Sequence, residues 1–140
     1  MAIWFKKMSL EELNFRGEHT MSDFLGIKFT EIGDDFLKAT MPVTERTKQP
    51  IGILHGGANV VLAETLASTA ANAVVDLSQF YCVGLEINAN HIRSVKEGLI
   101  TAITTPVHIG RSTQIWQINL FNEQGTQTCI SRMTASVLKR

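Results

Sequence analysis

Cysteine is nearly absent. Cys82 and Cys129 stand far apart in apolar runs, no Cys-x-x-Cys pair occurs, and His19, His55, His91 and His108 fall at no zinc-ligand spacing. This argues against a disulfide scaffold or a metal site, and two reduced, buried thiols of a cytoplasmic protein are expected. A dominant charge is missing too. Thirteen basic and thirteen acidic residues cancel, so the chain carries no overall electrostatic footprint for DNA or RNA. Local basic clusters could still grip a phosphorylated small ligand. No apolar run approaches transmembrane length, and Ala2-Ile3-Trp4-Phe5 before Lys6 and Lys7 is too short for a signal-sequence core. A soluble protein with neither nucleic-acid nor membrane partners is expected.

What is present suits one ordinary domain over residues 1–140, with 44% hydrophobic and 19% charged residues. Ser9 followed by Glu12 predicts a helix opened by a capping box, and Thr20 to Leu25 one further helical turn closed by Gly26. Ile27–Ile32 and Phe36–Met41 alternate around Gly33-Asp34-Asp35, a hairpin signature. His55 to Val75 is the only long helical candidate. Its Val, Leu and Ala residues cover nearly every direction of the wheel, which predicts a buried helix. Four strand-like runs follow, Phe80–Ile92, Leu99–His108, Thr113–Phe121 and Thr126–Leu138, separated by turn sequences. The pattern is α+β: an antiparallel sheet wrapped around one long central helix.

Chemistry concentrates at the start of that helix. In Gln49-Pro50-Ile51-Gly52-Ile53-Leu54-His55-Gly56-Gly57-Ala58, two glycines open the backbone where N–H groups are unpaired and the helix dipole is positive. Such a place can stabilise a developing oxyanion, or the glycines can serve the turn alone. Glu64 is the only ionisable side chain between His55 and Asp76. An unpaired carboxylate is costly to bury, so Glu64 either has a task or reaches water or a subunit interface. Ser68 lies one turn on, where it could hydrogen-bond Glu64 or position a water, and Thr65, Thr69 and Asn72 extend a weak polar stripe. Gly56 and Glu64 are eight residues apart, roughly 12 Å along the axis and about 80° around it. One carbonyl cannot touch both on the same helix. If both act on one substrate, they come from two antiparallel copies across a two-fold interface.

The run Gln49-Pro50…Leu54-His55-Gly56-Gly57…Ala63-Glu64-Thr65, with Met41-Pro42-Val43…Arg46-Thr47 before it, resembles the hotdog-fold thioesterases of the 4-hydroxybenzoyl-CoA type. Val83-Gly84-Leu85-Glu86-Ile87-Asn88-Ala89-Asn90-His91…Arg93 and His108-Ile109-Gly110-Arg111 carry the likeness through nearly the whole chain. It falls nearest the branch of the enterobactin proofreading and 1,4-dihydroxy-2-naphthoyl-CoA thioesterases. The resemblance implies a hotdog fold, assembled as dimers or as a homotetrameric dimer of dimers. It implies hydrolysis of acyl-CoA thioesters with an aromatic or hydroxyaryl acyl group, or of an acylated carrier protein, without metal or redox cofactor. The Gly56 N–H would hold the thioester oxygen, with Gln49 nearby and His55 assisting. Glu64 of the other subunit would act as general base or nucleophile, with Ser68 helping to place it or the water. Gly84 would lie beside the pantetheine arm, and His91, Arg93, Gly110 and Arg111 near the nucleotide phosphates, His91 and Arg93 projecting from one strand face. Phe24, Leu25, Ala71 and Val74 would be candidates for the acyl pocket. Ser94 stands where relatives often have proline, which affects the expected local loop shape.

Other readings compete. A hotdog dehydratase could pair His55 with Glu64, and a non-catalytic acyl-CoA-binding module would need the fold alone. A Ser-His-Asp hydrolase is disfavoured, because no Gly-x-Ser-x-Gly elbow occurs.

Overall fold

The computed structural model describes all residues, Met1–Arg140. Helix α1 spans Leu10–Gly17, and its capping box forms as expected: the Glu12 N–H donates to Ser9 Oγ at 3.1 Å, and the Ser9 N–H to Glu12 Oε2 at 3.2 Å. A single turn, α2 (Met21–Phe24), precedes β1 (Lys28–Ile32) and β2 (Leu37–Pro42). The long helix α3 is Gly56–Ala73, followed by β3 (Phe80–His91), β4 (Leu99–Ile109), β5 (Thr113–Phe121) and β6 (Gln127–Lys139). All six strands form one antiparallel sheet in the order β1-β2-β4-β5-β6-β3.

The sheet curls around α3, and the core lies between them. Leu37, Met41, Ile100, Trp116, Ile118, Leu120 and Met133 point inward and are fully buried. On α3 the buried residues are Ala58, Asn59, Leu62, Ala63, Leu66, Ala67, Ala70 and Ala71. These form two adjacent i, i+4 rows, so one face of the helix is covered and the other is not. The expectation of a helix buried all round is thereby corrected. Val60, Val61, Glu64, Thr65, Ser68 and Thr69 are only half-buried. Alanine dominates the covered rows because the helix must sit close to a strongly curled sheet. The last turn of α3 is also tied down inside the core. Gln114 Nε2 donates to Ala71 O at 3.3 Å while its Oε1 accepts from Trp116 Nε1 at 2.9 Å, satisfying a carbonyl that the helix end would orphan.

The two outer strands are each held by a helix asparagine. Asn14 of α1 accepts from the Phe29 N–H at 2.8 Å and donates to Phe29 O at 3.1 Å. Asn72 of α3 does the same for Cys82 on β3, at 2.9 and 3.0 Å. Each amide substitutes for one residue of a missing neighbour strand. Beyond Cys82 the β3 edge continues bare from Val83 to His91, with Val83 and Leu85 exposed at 41% and 62%.

Candidate active site

The loop before α3 is built to open its N-terminus. Gly52 takes a positive φ of 84°, closing a turn in which its N–H donates to Gln49 O at 2.9 Å. The His55 N–H donates to Thr47 O at 2.7 Å, and the His55 side chain is the N-cap of α3, its Nδ1 accepting from the Gly57 N–H at 2.8 Å. That bond leaves the His55 proton on Nε2, which faces solvent. The Gly56 N–H, next to it, has no acceptor in the chain.

A cleft of about 330 Å³ opens at this point, lined among others by Gln49, Gly56, Asn59, His91 and Arg93. Gln49 Oε1 is engaged with the Ile51 N–H at 3.1 Å, so its Nε2 is the end left for a ligand. The His91 ring lies against Gly56. A β-carbon built on Gly56 would stand 2.8 Å from His91 Nε2, so only glycine leaves both the backbone and the imidazole in place. Asn59 Nδ2 meets His91 Nδ1 at 3.2 Å, and Asn59 Oδ1, buried, has no partner.

Glu64 stands two turns further along α3. A β-carbon on Gly84 would stand 2.7 Å from Glu64 Oε1 and 3.9 Å from Met133 Sδ. Gly84 thus makes room for the carboxylate against β3, where a β-bulge interrupts the ladder between Gly84 and Glu86. Glu64 enters no ion pair within the chain. Ser68 does not bond Glu64. Its hydroxyl donates to Met133 Sδ at 3.6 Å, and it lines a cavity of about 280 Å³ with Thr65, Thr69 and Asn72, beneath α1 and α2.

The remaining expected residues divide between the two ends of the molecule. His91 and Arg93 do not share a strand face, because β3 ends at His91 and alternation stops there. The backbone N–H groups of Ile92 and Arg93 both donate to Thr128 O, and the Arg93 guanidinium turns away to Gln127 O at 2.9 Å. Gly110 and Arg111 lie at the opposite end, in an open depression with Phe5, Val74, Phe80 and Lys139 near the end of α3. A single chain therefore does not bring all four together. Of the acyl-pocket candidates, Ala71 is fully buried in the core and touches no cleft. Phe24 is exposed, with the Arg46 guanidinium 4.8 Å from its ring centre. The thiols of Cys82 and Cys129 are pushed up by burial, which keeps them protonated and poor nucleophiles. No cluster of three or more metal-ligating side chains forms, and no helix is long and apolar enough to cross a membrane.

Two residues of this region escape a reading by composition. Asn59 and Asn72 look like incidental polar residues in an alanine-rich helix. The available signal was position: Asn59 is the only polar residue on the buried rows of α3.

A curled antiparallel sheet on one long helix, with an open glycine backbone at the helix start and a free carboxylate two turns on, defines a hotdog-fold hydrolase. Residues 51–129 match the Thioesterase superfamily. The chain belongs to that family. It is 52% identical over 136 residues to the 1,4-dihydroxy-2-naphthoyl-CoA hydrolase of Escherichia coli (strain K12), covering 97% of this chain and 99% of that one. It is 46% identical over 136 residues to the proofreading thioesterase EntH of Cronobacter sakazakii, covering 97% and 98%. A crystal structure of a mutant thioesterase from Pseudomonas aeruginosa superposes with a TM-score of 0.98 at 46% identity, covering 99% of this chain and all of that one.

Proposed function

We propose that the protein hydrolyses hydroxyaryl acyl-CoA thioesters at sites shared between two chains. One observation carries this reading. The two reactive groups sit on one helix, each against its own part of β3: Gly56 by His91 and Glu64 by Gly84. Eight helical residues separate them by roughly 12 Å, while the β3 edge between them is bare. Two β3 edges paired antiparallel about a point between Gly84 and His91, near Ile87 and Asn88, set the Glu64 of one chain opposite the Gly56 of the other. The half-exposed Val60 and Val61 of α3 and the exposed Val83 and Leu85 of β3 are then covered.

In such a site the Gly56 N–H, supported by Gln49 Nε2 and His55 Nε2–H, polarises the thioester oxygen. Glu64 takes a proton from water as the water oxygen attacks the carbonyl carbon, or attacks that carbon itself to give a mixed anhydride that water then opens. In both routes the C–S bond breaks and the thiolate leaves and takes a proton. The cavity beside Ser68 is the place for the acyl group. Its lining combines the apolar Leu13, Ile27 and Phe29 with the polar Thr65, Ser68, Thr69 and Asn72, which accommodates a ring bearing hydroxyls. The relative named for 1,4-dihydroxy-2-naphthoyl-CoA hydrolysis supports an aromatic substrate. Arg111 with Lys139 at the far end supplies cations for the CoA phosphates. A carrier-protein thioester presents the same pantetheine arm without the nucleotide, and pairing of dimers into a tetramer is compatible with this site.

The test is thiol release from a panel of acyl-CoAs by wild type and by Glu64→Ala. Hydroxyaryl esters should be cleaved fastest, and the variant should lose at least about a hundredfold while keeping its fold and acyl-CoA binding. Wild-type rates in Glu64→Ala would overturn the assignment. Absence of release from any ester would favour a dehydratase or a binding module on the same fold.

A further inference from the structure

Asn59 is the unexplained residue of α3. Every other member of the two rows packed under the sheet is Ala or Leu, and an aliphatic side chain would fill its place without polar cost. Asn59 is 5% exposed, its Oδ1 has no partner, and its Nδ2 lies 3.2 Å from His91 Nδ1. An unpaired buried acceptor costs about 1–3 kcal/mol, so the asparagine is explained by what its other end does. His91 in turn is held with Nε2 against Gly56, 2.8 Å from where a side chain there would begin, and all three residues line one cleft.

We infer that Asn59 is a positioning residue which keeps the His91 proton on Nε2 and so supplies a further N–H donor to the thioester oxygen beside Gly56. The inference rests on reading this cleft as the place of the thioester carbonyl. Neutral imidazole carries one N–H and one lone pair, and the partner of one nitrogen decides which faces the other way. With Asn59 Nδ2–H donating, Nδ1 is the acceptor and Nε2 carries the proton. The opposite tautomer would turn a lone pair toward an oxygen that becomes negative as water attacks. His91 is thereby a donor at the reacting carbonyl and takes no part in gripping the distal phosphates.

The decisive variant is Asn59→Asp. A carboxylate of similar shape accepts only, and it draws the His91 proton to Nδ1. In ¹⁵N-edited imidazole spectra of the ligand-free protein, wild type should show His91 protonated at Nε2 and the variant at Nδ1. Turnover of Asn59→Asp should fall about a hundredfold, equally for a CoA ester and a truncated pantetheine thioester, with KM little changed. A pair at His91 keeps the question answerable if that variant does not fold. His91→Gln preserves an N–H donor and should stay within about tenfold of wild type, whereas His91→Leu should lose about a hundredfold. Protonation at Nδ1 in wild type would overturn the inference. So would wild-type turnover in folded Asn59→Asp or His91→Leu, or a KM increase in His91→Leu for the CoA ester alone. The spectra need no substrate, so failure of the thioesterase reading and failure of the tautomer assignment are read separately.

Discussion

Gly84 shows how a residue without a side chain can govern one proposed to carry the chemistry. The Glu64 carboxylate occupies the space that a β-carbon on residue 84 would approach to 2.7 Å. In Gly84→Ala the flexible carboxylate yields and the strand stays, because the nearest other atom is Met133 Sδ at 3.9 Å. Stability should therefore change by less than about 1 kcal/mol. Displacing a base by an ångström is enough to cost about a hundredfold, so the loss should appear in kcat, measured by steady-state thiol release. A variant that unfolds, or one with unchanged kcat, would show that Gly84 serves the strand and not the carboxylate. Glu64 itself was readable from sequence, because a lone carboxylate in an alanine-rich helix is conspicuous. The glycine facing it was also visible, as an expected neighbour of the pantetheine arm, but its contact with Glu64 was not. Spacing along β3 says nothing of which helix residue lies across from it.

At the scale of elements, the structure uses asparagine to finish the sheet. Asn14 and Asn72 each satisfy one N–H and one C=O of an outer strand. Alanine at either position removes two hydrogen bonds, and a cost of about 1–3 kcal/mol each in urea denaturation is expected. The Asn72 variant should in addition raise hydrogen exchange around Cys82. Equal exchange there in wild type and variant would count against the pinning role. The connection from α3 to β3 has its own acid dependence. Hydrogen bonds from the Ser78 hydroxyl and N–H and from Gln79 hold the Asp76 carboxyl below its ordinary range. A carboxylate lowered in the folded state stabilises it fully above the unfolded value of about 3.9, and that contribution is lost as pH falls through the folded value. Asp76→Asn should flatten this acid limb in pH-dependent melting. A limb identical to wild type would assign it to other carboxylates. Strands, helices and turns were legible because alternation, capping residues and Gly-containing turns are local signals. What was not legible depended on where elements end and what covers them. A wheel apolar all round suggested a fully buried α3, yet the half carrying Val60 and Val61 lies outside the sheet's reach. His91 and Arg93 line one cleft but share no strand face, because β3 stops between them.

For the whole molecule, the spacing of Gly56 and Glu64 raises a question of assembly, because the proposed site needs a second chain. A single chain offers a donor cleft at the start of α3 and a carboxylate roughly 12 Å further along it, and the bare β3 edge lies beside both. Complementation tests whether two chains complete each other. Glu64→Ala removes the base from both sites of a homodimer. Gly56→Pro removes the backbone N–H from both, and proline is tolerated there because the first helical position has no intrahelical bond to lose and its φ suits proline. The His91 side chain must shift to admit the ring, which adds to the damage at that cleft alone. In a mixed dimer one site receives the intact Gly56 of one chain and the intact Glu64 of the other, and the second site receives neither. Random exchange at equal amounts makes half the dimers mixed, each with one working site of two, so about a quarter of wild-type turnover should return. Each variant alone should stay at background. Subunit exchange is verified by native mass spectrometry of differently tagged chains, and activity is read on the same sample. Recovery near a quarter places the two groups of one site on two chains. Proven exchange with no recovery would show that Gly56 and Glu64 of different chains do not serve one site and would remove the reason for pairing the β3 edges in this register.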